Sequence, residues 1–254
     1  MQDMERTARP GGGYAAARPR GWLTPKTMVG AIAGILLLVD LYLIFAVAPT
    51  DANLGNVQRV FYIHVPIALM SFLAFFIVFV GSVMYLFKRS NRWDSMALAA
   101  GEVGVVFVSL ALITGVIWAR PVWNVWWTWE PRLTTTLVLW LIYVGYLMVR
   151  AYAPNRPKAA TYAAVVGIIG FVDVPIVYYS VQWWRSIHPQ QVVGPLAEAG
   201  SLDSTMYMVL MISMLTFLLL TAWLVLERMA VRDAEDELGR LRFEMRRRGE
   251  SVDA

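Results

Sequence analysis

Six apolar runs punctuate the chain, at residues 28–48, 65–87, 96–118, 133–149, 160–179 and 206–226. Each falls within the length a helix needs to cross a bilayer, and the first alone would rise about 31 Å. None shows the period-two alternation of a half-buried strand. The pattern predicts an all-α polytopic membrane protein with six transmembrane helices. An even number of spans puts both termini on one side. Ala46-Val47-Ala48 at the end of the first run has the small-x-small form of a signal-peptide cleavage site. Pro49 directly after it, the length of the run and Asp40 within it favour an uncleaved spanning helix.

Polar segments set the domain organisation. Residues 1–27 carry Arg6, Arg9, Arg18, Arg20 and Lys26 among Gly11-Gly12-Gly13, Pro10 and Pro19, the composition of a disordered basic tail. Residues 28–226 form the membrane domain. Residues 227–254 form a charged C-terminal helix or tail, with Ala234, Leu238, Leu241 and Met245 on one helical face. It either extends the sixth span or lies on the inner leaflet through Arg246-Arg247-Arg248.

Composition agrees with this division. The 254 residues are 58% hydrophobic and 16% charged, too little polar surface for an ordinary soluble domain. The formal net charge of +4 suggests no nucleic-acid partner, because the basic residues sit in tails and loops with no basic face. Of 22 Lys and Arg, 18 fall in the N-tail, the loops at 88–95 and 150–159, and the C-tail. The opposite segments, 49–64, 119–132 and 180–205, hold only Arg59, Arg120, Arg132 and Arg185. By the positive-inside rule both termini are cytoplasmic, and the loop between the third and fourth helices faces out. No cysteine is present, which excludes disulfides, iron–sulfur ligation and covalent haem attachment to this chain.

That outer loop carries the densest chemistry. Trp118, Trp123, Trp126, Trp127 and Trp129, five of eleven tryptophans, fall in residues 118–134. Trp123, Trp126, Trp127 and Glu130 follow helical spacing. A short helix begun by Pro121 and stopped before Pro131 would align three indoles and a carboxylate as a shelf with an acidic edge. Interfacial aromatic belts explain one or two indoles per helix end, not four in seven residues. The only two histidines, His64 and His188, fall in the outer segments, His64 before Pro66 and His188 in Trp183-Trp184-Arg185-Ser186-Ile187-His188. One imidazole from each of two helix ends, facing indoles, suits a haem iron. The four outer arginines could pair with its propionates. Zinc is the metal alternative, but two His without Cys fall short of its usual four ligands.

Asp40, Glu102 and Asp173 lie inside the runs, where a charge is costly and an acid is a functional candidate. Asp173-Val174-Pro175 sits toward the outer end of the fifth run, where Pro175 frees backbone carbonyls near the proposed site. Gly30 and Gly34 make a small-xxx-small pair. No phosphate-binding loop, His-Glu-x-x-His or Gly-x-Ser-x-Gly occurs. Any ATP-driven step belongs to a partner, and no hydrolase is indicated.

These residues together resemble the CcmC family of cytochrome c maturation subunits, the haem exporter C proteins, within the haem-handling group marked by a tryptophan-rich "WWD" loop. The resemblance rests on Arg59 with Tyr62-Ile63-His64-Val65-Pro66, Thr114-Gly115 with Trp118, and Pro121 with Trp123. It continues through Trp126-Trp127-Thr128-Trp129, Arg132-Leu133-Thr134, Asp173-Val174-Pro175-Ile176, and Ser180-Val181-Gln182-Trp183-Trp184 with His188. It implies six spans in a bacterial cytoplasmic membrane and haem b held at the outer face by His64 and His188 against the tryptophan loop. It also implies delivery of that haem to the chaperone CcmE and association with the transporter subunits CcmA and CcmB and the small protein CcmD. Glu130 stands where the family usually has Asp, and Asn124 where Gly is common.

Two rival functions bear on the same residues. A cytochrome c haem synthase of the CcsA type shares the tryptophan loop, but is expected to have more spans and further outer histidines. A cytochrome b electron-transfer subunit commonly places its paired histidines within the spans, whereas both here lie at outer ends. The reading favoured by the sequence is a non-enzymatic haem-binding membrane subunit.

Overall fold

The computed structural model describes residues 24–195, 197 and 202–248. Its helices are α1 (Pro25–Tyr42), α2 (Phe61–Lys88), α3 (Asn91–Trp123), α4 (Pro131–Tyr152), α5 (Arg156–Phe171), α6 (Asp173–Trp183) and α7 (Ser204–Arg248). α5 and α6 form one span interrupted at Val172. Six helical stretches are therefore long and apolar enough to cross a membrane, and no strand occurs among the described residues. The basic tail lies outside the described residues up to residue 23, as do residues 249–254.

Local chemistry explains the helix ends. Thr24 caps α1 by accepting from the Thr27 amide, and Asn155 caps α5 by accepting from the Lys158 amide, each followed within two positions by proline. α1 finishes in a π-helical turn, Leu43–Val47, where the Ala48 amide reaches the Leu43 carbonyl at 2.8 Å before Pro49 stops it. The Arg59 guanidinium donates to the loosened Ile44 and Phe45 carbonyls, at 2.9 Å for the first. The sequence places Pro66 in a first helical turn, yet it lies inside α2. A 3-10 turn at Asn56–Val60 leads straight into the helix at Phe61. The cost of Pro66 is one lost N–H bond in the helix ladder.

Close helix approach sets the packing. α2 and α3 lie side by side at the centre, with α4, α5 and α7 around them and α1 outermost along α7. A Cβ added at Gly104 would meet Phe75 at 2.5 Å, and one at Gly101 would meet Tyr146 at 2.7 Å, so α3 needs bare backbone at both positions. Phe75 of α2 stacks on Tyr143 of α4 with ring centroids 3.6 Å apart, forming the middle of the core. Of the pair in α1, Gly30 packs under the Trp223 indole, while Gly34 has no neighbour within 4 Å of a built Cβ.

Two of the intramembrane acids hold α7. Buried Asp40 meets Ser213 at 2.7 Å, and Glu102 pairs with Arg228. Lys26 at the start of α1 pairs with Glu227 at 2.8 Å. The N-terminal end of the first span and the far end of the sixth therefore lie on one face. α7 continues unbroken through residues 227–248, and Arg156–Asp236 ties it to the start of α5.

Candidate functional site

At the opposite face, α2, α3, α4, α6 and the irregular segment after Trp183 enclose a cavity. Its empty space, counted out through the open mouth, is about 1210 Å³. His64, His188, Trp118, Trp123, Trp127 and Arg132 share its wall. These six residues come from three separate stretches of sequence, residue 64, residues 118–132 and residue 188, brought together by the packing of the helices.

The tryptophans are not arranged as their spacing predicts, because no separate helix forms at 121–130. α3 runs on through Pro121 to Trp123 and stops at Asn124, which adopts the left-handed conformation at φ 59°. Arg120 stabilises that stop by donating to the Asn124 carbonyl at 2.6 Å and to its side-chain oxygen, and its guanidinium lies over the Trp126 ring. Asn or Gly suits such a terminus, so the departure from the family's usual Gly is accommodated by the backbone. Residues 124–130 are irregular, and the shelf is replaced by a split. Trp123 and Trp127 line the cavity, while Trp126 and Trp129 are 58% and 76% exposed. Trp118 meets Trp123 edge to face at 5.4 Å, and Trp127 meets Trp129 at 5.7 Å.

Glu130 is not an acidic edge either. Its carboxylate is buried, caps α4 by accepting from the Leu133 amide at 2.8 Å with Pro131 next in sequence, and accepts a hydrogen bond from Ser186. The Ser186 hydroxyl oxygen in turn accepts from the His188 amide at 3.1 Å. Glu130 thus fixes the start of α4 and, through Ser186, the backbone that presents His188.

Both imidazoles are held through the same nitrogen. The Thr114 hydroxyl donates to the Leu110 carbonyl at 2.8 Å. Its single hydrogen is therefore spent, and toward His64 Nδ1 at 2.9 Å it acts as acceptor. That geometry fits the tautomer with the proton on Nδ1 and the lone pair on Nε2. Gly115 makes room for the ring, since a Cβ there would lie 3.2 Å from His64 Cε1. His188 Nδ1 lies 3.0 Å from the Pro189 carbonyl and 3.5 Å from Arg132 Nη1. A carbonyl only accepts, and the shorter contact governs, so His188 is also protonated on Nδ1 with Nε2 as its lone-pair nitrogen. Burial and the Arg132 charge push the His188 pKa down to about 4, which keeps the ring neutral and able to ligate at physiological pH.

The remaining sequence candidates do not line this cavity. Arg59 is committed to the end of α1 and Arg120 to the end of α3, while Arg185 is exposed. Arg132 is the arginine that reaches the site. Trp183 and Trp184 are exposed, Trp183 stacking on Tyr179 at 5.5 Å. Asp173 begins α6, ten residues before Trp183 and away from the cavity wall, because the fifth span extends to Trp183 and leaves Asp173 well inside it. The sequence reading missed Thr114 and Gly115 as supports of His64, and Ser186 and Gln191 as supports of the second histidine. For Ser186 the signal is its place two residues before His188, the spacing of a hydroxyl-capped turn.

Two lone-pair nitrogens, a cavity wall of indoles and aliphatics, and one guanidinium suit a flat apolar macrocycle with a metal centre and acidic side chains. A sequence profile described as CcmC, Heme exporter protein C, matches residues 14–243. The chain belongs to the CcmC family. It is 34% identical over 209 residues to Heme exporter protein C of Escherichia coli strain K12, covering 82% of this chain and 83% of that protein. It is 34% identical over 213 residues to the protein of the same name from Bradyrhizobium diazoefficiens, covering 84% and 78%. The corresponding protein of Haemophilus influenzae is 32% identical over 194 residues, covering 76% and 78%. In this CcmC family member, His64, His188, Trp118, Trp123, Trp127 and Arg132 line the cavity, while the indoles of Trp126, Trp129, Trp183 and Trp184 are exposed.

Proposed function

We propose that this protein is the haem-holding subunit of a bacterial cytochrome c maturation system. In this reading it lies in the cytoplasmic membrane with both termini cytoplasmic and the cavity at the extracytoplasmic face. The tail at 1–27, the membrane domain at 28–226 and the helical extension from 227 keep the roles read from the sequence. The protein takes haem b as cargo and passes it to CcmE, working beside CcmA, CcmB and CcmD. It catalyses no reaction of its own, and any ATP hydrolysis belongs to a partner. The observation that carries the proposal is the pair of half-buried imidazoles lining one cavity, each with Nδ1 engaged by a protein partner.

Haem would supply the iron and two propionates. His64 and His188 would ligate the iron, Arg132 would pair with a propionate, and Trp118, Trp123 and Trp127 would cover the macrocycle. The exposed indoles of Trp126, Trp129, Trp183 and Trp184 offer CcmE an apolar rim at the cavity mouth, with Glu130 contributing from beneath through Ser186. Arg59 and Arg120 act by holding helix ends rather than the cargo.

In membrane vesicles of defined orientation, CcmE without haem should withdraw haem from the protein only when added on the extracytoplasmic side. Withdrawal from the cytoplasmic side alone, or thioether-bound haem on an apocytochrome in the absence of CcmE, would contradict the reading. A second expectation concerns Thr114. Thr114→Val keeps the shape but removes the acceptor that orients His64. It should lower haem affinity about 10- to 100-fold, as loss of an outer-shell partner does at other metal ligands. Equilibrium titration against wild type checks this.

A further inference from the structure

His64 stands on a regular helix, but His188 does not. It opens a segment without regular structure, residues 188–195, of which Pro189, Gln190, Gln191, Val192 and Val193 also line the cavity. The segment forms one wall of the site and carries one of its two histidines. Whatever fixes it therefore governs both the second ligand and the closure of the cavity.

Backbone hydrogen bonds do little of this fixing. Gln191 makes the principal attachments. Its side chain is buried, it accepts from Gln182 Nε2 at 2.6 Å, and it donates from Nε2 to the Tyr178 carbonyl at 2.9 Å. Both partners are on α6, one turn apart. The amide of Gln191 thus bridges the helix and the segment with a donor and an acceptor at once. Two further contacts set the ends. The His188 amide donates to Ser186, and Gly194 takes φ +100° with its bare Cα against Tyr178, where a Cβ would meet the hydroxyl at 2.5 Å.

We propose that Gln191 is a positioning residue, a latch that pins the His188-bearing segment to α6 and thereby sets how long the cargo is retained. The inference rests on the haem-holding reading above. Releasing the latch frees His188 and uncovers the cavity in one motion, so a partner that competes for Gln191 or its α6 acceptors gains access without breaking any helix. The neighbouring valines, Val192 and Val193, pack on the apolar cluster around Ile44 and Tyr62 and keep the segment attached as a flap rather than a free loop.

Gln191→Met removes the amide at nearly constant length, and Gln182→Met removes only the acceptor bond from an exposed position. Two readouts separate the latch from the haem reading. In the haem-free full-length protein, hydrogen exchange across residues 188–195 should be about tenfold faster in Gln191→Met, the scale of losing its two hydrogen bonds to α6, with a smaller change in Gln182→Met, which loses one, and none in α2 or α3. In the loaded protein, haem transfer to apomyoglobin should be about tenfold faster in Gln191→Met, with weakened bis-imidazole absorption restored by added imidazole. Wild-type exchange across 188–195 in Gln191→Met would overturn the latch, whatever the protein binds. Faster exchange with unchanged haem transfer and spectrum would overturn its role in retention. Absence of a bis-imidazole spectrum from the wild type would overturn the haem reading and, with it, the function of the latch.

Discussion

His64→Ala is expected to weaken haem binding about tenfold more than His188→Ala, although the two residues are of one chemical type. The reason is what each stands on. His64 is part of α2, oriented by Thr114 on α3 and seated over Gly115, so its ordering is complete before cargo arrives. His188 is on the irregular segment after α6 and is held through Ser186, Pro189 and the Gln191 bridge. A ligand on a segment that must be ordered contributes less net affinity than a preorganised one. His188→Ala should therefore retain haem on His64 with five-coordinate character and recover a six-coordinate spectrum with added imidazole. His64→Ala should lose most of its haem. Equal losses, or a greater loss in His188→Ala, would show that the segment is as rigid as the helix.

Glu130→Ala is expected to have the second large effect, on both stability and the site. The carboxylate caps α4, and losing an N-cap costs about 1 kcal/mol. The same substitution leaves Ser186 without its acceptor, so the His188 amide loses a fixed partner. Thermal unfolding in detergent should drop by several degrees, and haem dissociation should quicken toward that of His188→Ala. Glu130→Gln keeps an oxygen for the Leu133 amide and should be the milder variant. Glu130→Asp, the residue usual in the family, has one methylene less. It should preserve the cap and weaken the Ser186 bond, so dissociation should change more than melting temperature. A change in melting temperature without any change in haem dissociation across the three variants would confine Glu130 to capping.

Hydrophobic length and the distribution of basic residues made the six spans legible, because a bilayer tolerates little besides apolar helices. The pairing of the histidines was legible for the same reason, since topology gathers the odd-numbered loops on one face. The shelf was not. Helical spacing across 121–130 suggested one amphipathic turn, whereas α3 had already formed and carried its axis through Pro121 to Asn124. Local periodicity cannot show whether a helix is new or the continuation of another. The arginines divide similarly. Four lie in the loops of one face, yet of these Arg132 alone lines the cavity, because Arg59 and Arg120 satisfy carbonyls at helix ends that are visible only once the ends exist. The contact of Thr114 with His64 spans 50 positions and depends on the packing of α2 on α3, so no local pattern reveals it.

The most direct test of the haem site is low-temperature electron paramagnetic resonance of the ferric, haem-loaded protein. Ligation of one iron by both imidazoles should give a low-spin bis-imidazole signal in the wild type, a high-spin single-imidazole signal in His188→Ala, and no specifically bound haem in His64→Ala/His188→Ala. A wild-type bis-imidazole signal that persists in the double variant would contradict the assignment of both histidines.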